Sequence, residues 1–183
     1  MEFQIRESLE SDSKAIRSVV LAAFGPEEGE EIADLVAELD LDPTAEPRLS
    51  LVATNEETII GHILFTAVKI EADPNQTPCS ILAPLAIHPE YQKQGVGGLL
   101  IHEGLKQLQE SGVDLVFVLG HPSYYPKFGF TPSGYRGLDA PYPILPKNAE
   151  AWMVQELRPG ILGSVRGTLI CATALDDARY WVE

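Results

Sequence analysis

The most informative segment of the sequence reads Ile81-Leu-Ala-Pro-Leu-Ala-Ile-His-Pro-Glu-Tyr-Gln-Lys-Gln-Gly-Val-Gly-Gly98. Its first part is apolar and belongs to a predicted strand over Ser80–Ile87. A polar turn follows, and residues 96–110 then place apolar side chains at helical spacing. The segment therefore runs from a strand, through a glycine-rich turn, into a helix.

The glycine cluster Gly95, Gly97 and Gly98 stands where the turn becomes the helix. Glycine has no Cβ, so main-chain N–H groups there can approach a ligand closely. The first N–H groups of a helix have no partners inside the helix, and they lie at the positive end of its dipole. With the added charge of Lys93, the sequence predicts an anion site suited to a pyrophosphate.

Two other interpretations compete for these glycines. A Gly-x-Gly before a helix also fits a helix start that merely needs flexible residues. A dinucleotide-binding fold is more specific, but its fingerprint requires a third glycine at position 100, which is Leu100. It also requires an acidic residue at the end of the next strand, whereas Asp114 precedes that strand. We therefore reject the dinucleotide interpretation.

Pro84 lies inside the predicted strand Ser80–Ile87. Proline donates no hydrogen bond to a ladder, so in a sheet it belongs at an edge or at a bulge. The strand is apolar on both faces, which favours a bulge that splays it from its neighbour. Splaying would leave main-chain groups near Leu85 and Ile87 available to an extended, amide-containing ligand. A simple edge strand is an equal alternative at this point.

The rest of the chain predicts further helices and strands. Asp12 is expected to cap a helix with its carboxylate, and Gly25-Pro26 to end that helix. A second helix follows up to Asp42-Pro43. The order of the elements predicts a mixed α/β layer structure. Strands are predicted at Phe3–Arg6, Leu49–Ala53, Ile59–Ile70, Leu115–Leu119, Ala151–Leu157 and Thr168–Ala172.

Composition restricts the compartment and the partners. The formal charge of −14 disfavours nucleic acid and anionic membranes as partners. Cys79 and Cys171 stand far apart, which argues against a disulfide framework or a metal site and fits a reducing cytoplasm. The N-terminus lacks a signal-peptide pattern, and the longest apolar run, Ile81 to Ile87, is too short to cross a bilayer. We therefore expect a cytoplasmic protein without a metal.

Together these residues resemble the coenzyme-binding motif of the GNAT superfamily of N-acetyltransferases. That motif is an apolar strand followed by Gln/Arg-x-x-Gly-x-Gly/Ala, here Gln92-x-x-Gly95-x-Gly97. Tyr125-Pro-Lys-Phe-Gly-Phe130 is similar to the family's Tyr-x-x-x-Gly-Phe, and the combination looks most like the YhbS-like branch. The resemblance implies a single domain over residues 1–183, with a core of about 2–133 and a C-terminal extension over 134–183.

The resemblance implies the GNAT fold, which is a mixed α/β fold. Its central sheet is mostly antiparallel, splayed at a bulged strand and flanked by helices. It also implies that acetyl-CoA is the cosubstrate and that no metal is needed. The thioester oxygen would accept a hydrogen bond from the Leu85 amide, which stabilises the charge that grows there. The residues implied in coenzyme binding are Leu85, Ala86 and Ile87 for the pantetheine arm, and Gln92, Lys93, Gln94, Gly95, Val96, Gly97 and Gly98 for the pyrophosphate.

By the same resemblance, Tyr125 would protonate the departing thiolate as a general acid. The adjacent Tyr124 is the alternative candidate for the general acid. The family usually places this tyrosine on a helix. Pro126 disfavours helical geometry at the residue before it, so we expect Tyr125 on a single irregular turn.

The residues leave the base and the acceptor open. His62, His121, Glu30 and Glu31 are candidate bases, and an unprotonated amine would need none. The acceptor is expected to be a small-molecule or peptide amine, and a homodimer is possible through the tail. Two other functions remain as alternatives: a non-catalytic acyl-CoA binding module and a nucleotide-binding protein of another fold.

Overall fold

The computed structural model describes residues 2–182. Two helices longer than two turns and nine strands follow one another in this range, with short 3-10 turns between them. The helices are α1 (Ser13–Leu41) and α2 (Val96–Glu110). The strands are β1 (Phe3–Glu7), β2 (Leu49–Asn55), β3 (Thr58–Ile70), β4 (Cys79–Ile87), β5 (Leu115–Leu119), β6 (Thr131–Pro132), β7 (Leu138–Asp139), β8 (Trp152–Glu156) and β9 (Gly167–Ile170).

The sheet has the order β1-β2-β3-β4-β5-β8-β6, and its neighbours are antiparallel except for the parallel pair β4–β5. β9 pairs with the end of β3 and with β7. Strand β8 comes from residues 134–183 and lies between β5 and β6, so this part of the chain is built into the sheet. The predicted fold class is confirmed: a mixed α/β fold with a mostly antiparallel central sheet.

One helix packs against each face of the sheet. Since side chains alternate between the two faces of a strand, the two helices cover alternate residues of the same strands. On one face, α1 covers Val52, Leu64, Ile81 and Ala86. On the other face, α2 covers Leu51, Ile63, Phe65 and Leu82. None of the helices in residues 2–182 is long and apolar enough to span a membrane.

Helix α1 is broken in the middle, at the predicted position. Gly25 has φ 79° and ψ −175°, which is outside helical geometry, and Pro26 follows it. Glycine tolerates the positive φ, and the first turn of the continuing helix tolerates a proline. The two predicted helices are therefore the two halves of α1.

The predicted cap at Asp12 is wrong. Asp12 is the residue before α1, but its side chain accepts no hydrogen bond from the first turn of that helix. Its carboxylate instead pairs with the Arg6 guanidinium at 2.7 Å and accepts the Leu9 main-chain N–H at 2.7 Å. These hydrogen bonds, with that from Arg6 the largest, lower the pKa of the carboxyl group. An ion pair across the β1–α1 connection replaces the cap, because Arg6 on β1 is within reach.

The strands of the tail are shorter than predicted. The prediction Ala151–Leu157 corresponds to β8 at Trp152–Glu156, and the prediction Thr168–Ala172 corresponds to β9 at Gly167–Ile170. β9 ends at Ile170 because its ladder with β3 ends at the pair Lys69↔Ile170.

Candidate active site

The site begins where β4 separates from β5. The described β4–β5 ladder runs from Cys79↔Leu115 to Leu82↔Val118 and ends there. Pro84 follows, in a cis peptide bond, and the β3–β4 register shifts at this point, with Phe65↔Leu82 on one side and Ile63↔Leu85 on the other. β4 pairs with strands on both sides, so the edge-strand alternative for Pro84 is wrong and the bulge is real.

Beyond the bulge, alternate residues of β4 direct their main chain away from β3. His88 donates its N–H to the Ile60 carbonyl at 2.9 Å, which sets the hydrogen-bonding pattern of this part of the ladder. Ala86 therefore exchanges hydrogen bonds with His62, whereas Leu85 and Ile87 direct their main-chain groups into the gap left by β5. The Ile87 carbonyl accepts the Gln92 side-chain amide at 3.1 Å. The amides of Leu85 and Ile87 thus face the gap.

The N-terminus of α2 lies next to this gap. Its N-cap residue, Gly95, has φ 85° and offers no side-chain oxygen to the first N–H groups of the helix. Lys93, two residues earlier, has φ 62°, which bends the turn sharply. Val96 is buried and holds the start of the helix against the sheet. Main-chain donors with no side-chain cap, at the positive end of a helix, form an anion site.

Gly97 joins this helix end to the gap. A Cβ at position 97 would lie 2.5 Å from the Tyr124 hydroxyl and 3.7 Å from the Leu85 side chain. Tyr124 is half-buried, and burial raises the pKa of its phenol. The Lys127 ammonium lies 5.8 Å from the centre of the Tyr124 ring. Lys127 is a second positive charge near the anion site at the α2 N-terminus, which we call the coenzyme cradle. The sequence analysis missed it, although it lies inside the quoted Tyr-x-x-x-Gly-Phe segment.

Tyr125 opens a 3-10 turn, Tyr125–Phe128, as the proline after it predicts. Its ring packs edge-on against Tyr124 at 5.2 Å and Phe130 at 5.8 Å, and it also touches the Gly120 backbone. Only 8% of the residue is exposed. The turn follows β5, so it brings both tyrosines to the end of the sheet where β4 and β5 separate.

The candidate bases lie in different surroundings. His62 is buried, and its Nε2 lies 2.9 Å from Ser50 Oγ. Glu30 lines an open cavity of about 510 Å³ at the break in α1, and Glu31 pairs with Arg179 at 3.5 Å. His121 is exposed, and its carbonyl accepts the main-chain N–H groups that begin the tyrosine turn. Sequence reasoning could not find the Ser50 partner, because that contact depends on the register of β2 against β3.

No group of three or more His, Cys, Asp or Glu residues in the described range could hold a metal ion. Cys79 is buried and Cys171 is half-buried, and both are free thiols. Burial raises the pKa of the Cys79 thiol to about 12 and that of Cys171 to about 11. Neither cysteine is therefore an activated nucleophile.

The sequence model of the acetyltransferase (GNAT) domain matches residues 4–133. This chain belongs to the GNAT family of acetyltransferases. The matched range contains every residue of the gap, the α2 N-terminus and the tyrosine turn. The predictions of the family and of the enzyme class are therefore confirmed.

Individual relatives indicate which branch of the GNAT family this chain resembles. The uncharacterized N-acetyltransferase YjhQ of Escherichia coli K12 is 47% identical over 148 residues, which cover 80% of each chain. The crystal structure of YhbS from Escherichia coli in complex with CoA has a TM-score of 0.85 and 29% identity, covering 97% of this chain and 93% of that one. These likenesses agree with the predicted YhbS-like branch.

A third relative contains the cosubstrate itself. The crystal structure of a GNAT family acetyltransferase from Brucella melitensis in complex with acetyl-CoA has a TM-score of 0.76 and 27% identity. It covers 96% of this chain and 99% of that one. The prediction of acetyl-CoA as cosubstrate agrees with both complexes.

Proposed function

We propose that this chain transfers an acetyl group from acetyl-CoA to a primary amine by direct attack of the amine. The observation that carries the proposal is the gap beside β4, which opens next to the uncapped N-terminus of α2. Such a gap offers main-chain hydrogen bonds to an extended amide-containing arm, and the helix end offers an anion site within reach of the same arm. Acetyl-CoA combines such an arm with a pyrophosphate, and it supplies the acetyl group as an activated thioester.

The residues present fit this cosubstrate. Gly97 lets the Tyr124 hydroxyl lie against the start of α2, since a Cβ there would come within 2.5 Å of it, and Gly95 carries the positive φ that the turn requires. Lys93 and Lys127 supply local positive charge in a chain with a formal charge of −14. In the proposal, Leu85, Ala86 and Ile87 hold the pantetheine arm, and residues 92–98 (Gln92, Lys93, Gln94, Gly95, Val96, Gly97 and Gly98) hold the pyrophosphate.

Within that set the residues contribute different groups. Leu85 and Ile87 direct their amides into the gap, whereas Ala86 bonds to β3 through its main chain and offers only its side-chain surface. Gln92 holds the Ile87 carbonyl, so it fixes the end of β4 as well as the start of the turn. In the proposed reaction the Leu85 amide donates to the thioester oxygen, where negative charge grows during attack.

Tyr125 is the proposed general acid, which donates its phenolic proton to the departing thiolate. Support comes from its place in the Tyr-x-x-x-Gly-Phe segment and on a turn at the open end of the sheet. Its burial keeps bulk water away from the proton that it would donate. Tyr124 contacts Gly97 instead, so in the proposal it lines the coenzyme cradle.

The proposed acceptor is a small-molecule or peptide amine. The acidic surface attracts cations, and the cavity at the α1 break has Glu30 at its rim. The free thiols fit the cytoplasm, which we propose as the site of action. A homodimer stays a prediction, as does the division into one domain with a C-terminal extension.

The test is a turnover assay. Purified protein is incubated with acetyl-CoA and a panel of primary amines that includes polyamines, aminoglycosides and peptides, while the released CoA thiol is measured. The proposal expects thiol release that depends on at least one amine. Saturable binding of acetyl-CoA without thiol release from any amine would instead establish the non-catalytic binding module. The alternative of a nucleotide-binding protein of another fold is wrong, because this chain has the GNAT fold.

A further inference from the structure

His62 lies in the middle of the sheet, directly beside the open end of β4. It sits on β3, opposite Ala86 of β4 and Val52 of β2, and only 1% of the residue is exposed. Its side chain faces the α1 side, together with Val52 and Ala86. Directly opposed residues in a sheet have Cβ atoms about 5 Å apart. His62 is therefore next to the strand segment that is proposed to hold the thioester.

A chain of hydrogen bonds leads from His62 towards the surface. The Nε2 atom lies 2.9 Å from Ser50 Oγ, and the Ser8 hydroxyl donates to the same oxygen at 2.7 Å. Both serines are partly exposed, and the Ser8 main-chain N–H bonds to the Ser50 carbonyl at 2.9 Å, which fixes their separation. A serine hydroxyl donates and accepts at once, so the chain can pass a proton from the ring to water.

The other ring nitrogen, Nδ1, is buried and has no hydrogen-bond partner. Leaving such a buried group unpaired destabilises the folded protein, so a site that keeps it needs a reason. Burial also lowers the pKa of the His62 imidazole to about 4, so the ring is neutral near pH 7. A neutral imidazole has one unprotonated nitrogen, which can accept a proton. If Nε2 donates to Ser50, the bare acceptor is Nδ1.

Thr66 shows that an unpaired buried polar atom alone does not make a site. It lies four residues further along β3, on the same face, and its Oγ1 is also buried and unpaired. Thr66 is opposite Ile81, however, in the part of β4 that still pairs with β5. Of these two, only His62 combines an unpaired atom, a hydrogen-bond chain to the surface and a place opposite the half of β4 that borders the gap.

We propose that His62 accepts the proton of the acceptor amine at Nδ1 and releases a proton from Nε2 through Ser50 and Ser8. This inference rests on the proposed function. As the C–N bond forms and the C–S bond breaks, an amine N–H proton moves to Nδ1 and the Tyr125 proton moves to sulfur. The Ser8 hydroxyl, which donates to Ser50 Oγ at rest, turns towards water. The Nε2 proton then passes to Ser50, the Ser50 proton to Ser8 and the Ser8 proton to water. Exchange with water then restores Tyr125 and the starting tautomer of His62.

Burial suits this role because proton entry at one nitrogen is matched by exit at the other. A buried imidazolium is disfavoured, so a base that merely stored the proton would be weak here. A relay through a neutral ring avoids that charge. It also explains why the histidine is bonded to a serine pair that reaches the solvent, instead of to a carboxylate.

The test uses the full chain with the amine and acetyl-CoA pair identified in the turnover assay. His62→Gln keeps a hydrogen-bonding amide of similar length but cannot relay a proton, and we expect kcat to fall about 100-fold. The affinity for acetyl-CoA should stay unchanged. Ser50→Ala should lower kcat about tenfold, because it breaks the exit path while leaving Nδ1 intact. Thr66→Val is the matched control, and we expect its kcat to equal that of the wild type.

A turnover of His62→Gln within about threefold of wild type would overturn the inference while leaving the proposed function intact. A wild-type protein with no turnover would instead overturn the proposed function. If His62→Gln fails to fold, Ser50→Ala decides by the same split between kcat and affinity. Nitrogen NMR of the wild type gives a separate answer: a proton on Nε2 of His62 supports the relay, and a proton on Nδ1 contradicts it.

Discussion

The two halves of β4 have similar apolar side chains but different neighbours. Residues Cys79 to Leu82 lie between β3 and β5 and are buried on both faces, whereas Leu85 to Ile87 pair with β3 and face a gap on the other side. The closed half contributes packing and main-chain pairing. The open half gives up part of that stability and presents its amides to a ligand. A bulge at Ala83–Pro84 separates the two, so one strand is both core and site.

The opposing strand β3 shows the same division. Thr66 lies opposite the closed half and His62 opposite the open half, and each has a buried polar atom without a partner. The comparison predicts that changes around the closed half affect stability, whereas changes around the open half affect binding and turnover.

The largest effect is expected for Gly97→Val, whose side chain would collide with the Tyr124 hydroxyl beside the α2 N-terminus. We expect the dissociation constant for CoA to rise about 1000-fold, since two or three charge-assisted hydrogen bonds worth ~1.5–2 kcal/mol each are lost. Isothermal titration calorimetry measures this. Gly134→Ala is the control, because a Cβ there meets nothing within 4 Å. Binding of CoA by Gly97→Val within about tenfold of wild type would mean that the cradle lies elsewhere.

The next effect concerns stability at acid pH. Folding lowers the pKa of His62 from 6.5 to about 4. Between these two pH values the imidazole is protonated in the unfolded chain and neutral in the folded chain. Stability contributed by the neutral ring is thus complete above pH 6.5 and is lost as the pH falls towards 4, by about 3 kcal/mol in total. His62→Gln should lack this loss, and Thr66→Val should retain it.

Urea unfolding of the three proteins at pH 7, 5.5 and 4.5 gives the free energies of unfolding. The quantity to compare is the change with pH, since other groups titrate equally in all three. Parallel curves for wild type and His62→Gln would show that folding leaves the pKa of the imidazole unchanged, which contradicts the lowering attributed to its burial.

A third prediction separates the adjacent tyrosines. Tyr125→Phe removes the proposed acid, so kcat should fall about 100-fold while the affinity for acetyl-CoA stays the same. Tyr124→Phe removes the hydroxyl that touches Gly97 and should mainly weaken coenzyme binding, by about threefold. Steady-state kinetics and calorimetry on both variants decide between them. The reverse result would assign the acid to Tyr124.

The smallest effect is expected for Thr66→Val. Replacing a buried hydroxyl that lacks a partner with a methyl group of the same shape should change the free energy of unfolding by less than about 1 kcal/mol. Urea unfolding at pH 7 measures it. A larger loss would mean that Thr66 has a role in the closed half that its unpaired oxygen does not reveal.

The irregularity at Pro84 and the tyrosine turn could be predicted from the sequence because proline acts locally, although the choice between a bulge and an edge needed the strand pairing. Pro84 cannot donate to a ladder, and Pro126 disfavours a helix at Tyr125, whatever the rest of the fold does. The helix start at Gly95 is local in the same way. Each of these features depends on a few neighbouring residues.

The features that were missed depend on contacts distant in sequence. The Asp12 carboxylate was predicted as a cap, but the Arg6 guanidinium on β1 takes it. The hydrogen bonds of His62 join it to Ser50, twelve residues away, and through it to Ser8. The place of β8 between β5 and β6 is set by pairing that a five-residue segment does not encode on its own. These contacts depend on strand register and strand order, and neither can be predicted from a short segment of sequence.

The most direct test of the gap beside β4 is amide hydrogen exchange, measured residue by residue by NMR, with and without acetyl-CoA. The structure predicts that exchange slows at Leu85, at Ile87 and at the α2 N-terminus, and that it stays unchanged at Ile81 and Leu82 in the closed half. Protection confined to other parts of the chain, with Leu85 and Ile87 unaffected under saturating acetyl-CoA, would contradict the proposal that this gap holds the cosubstrate.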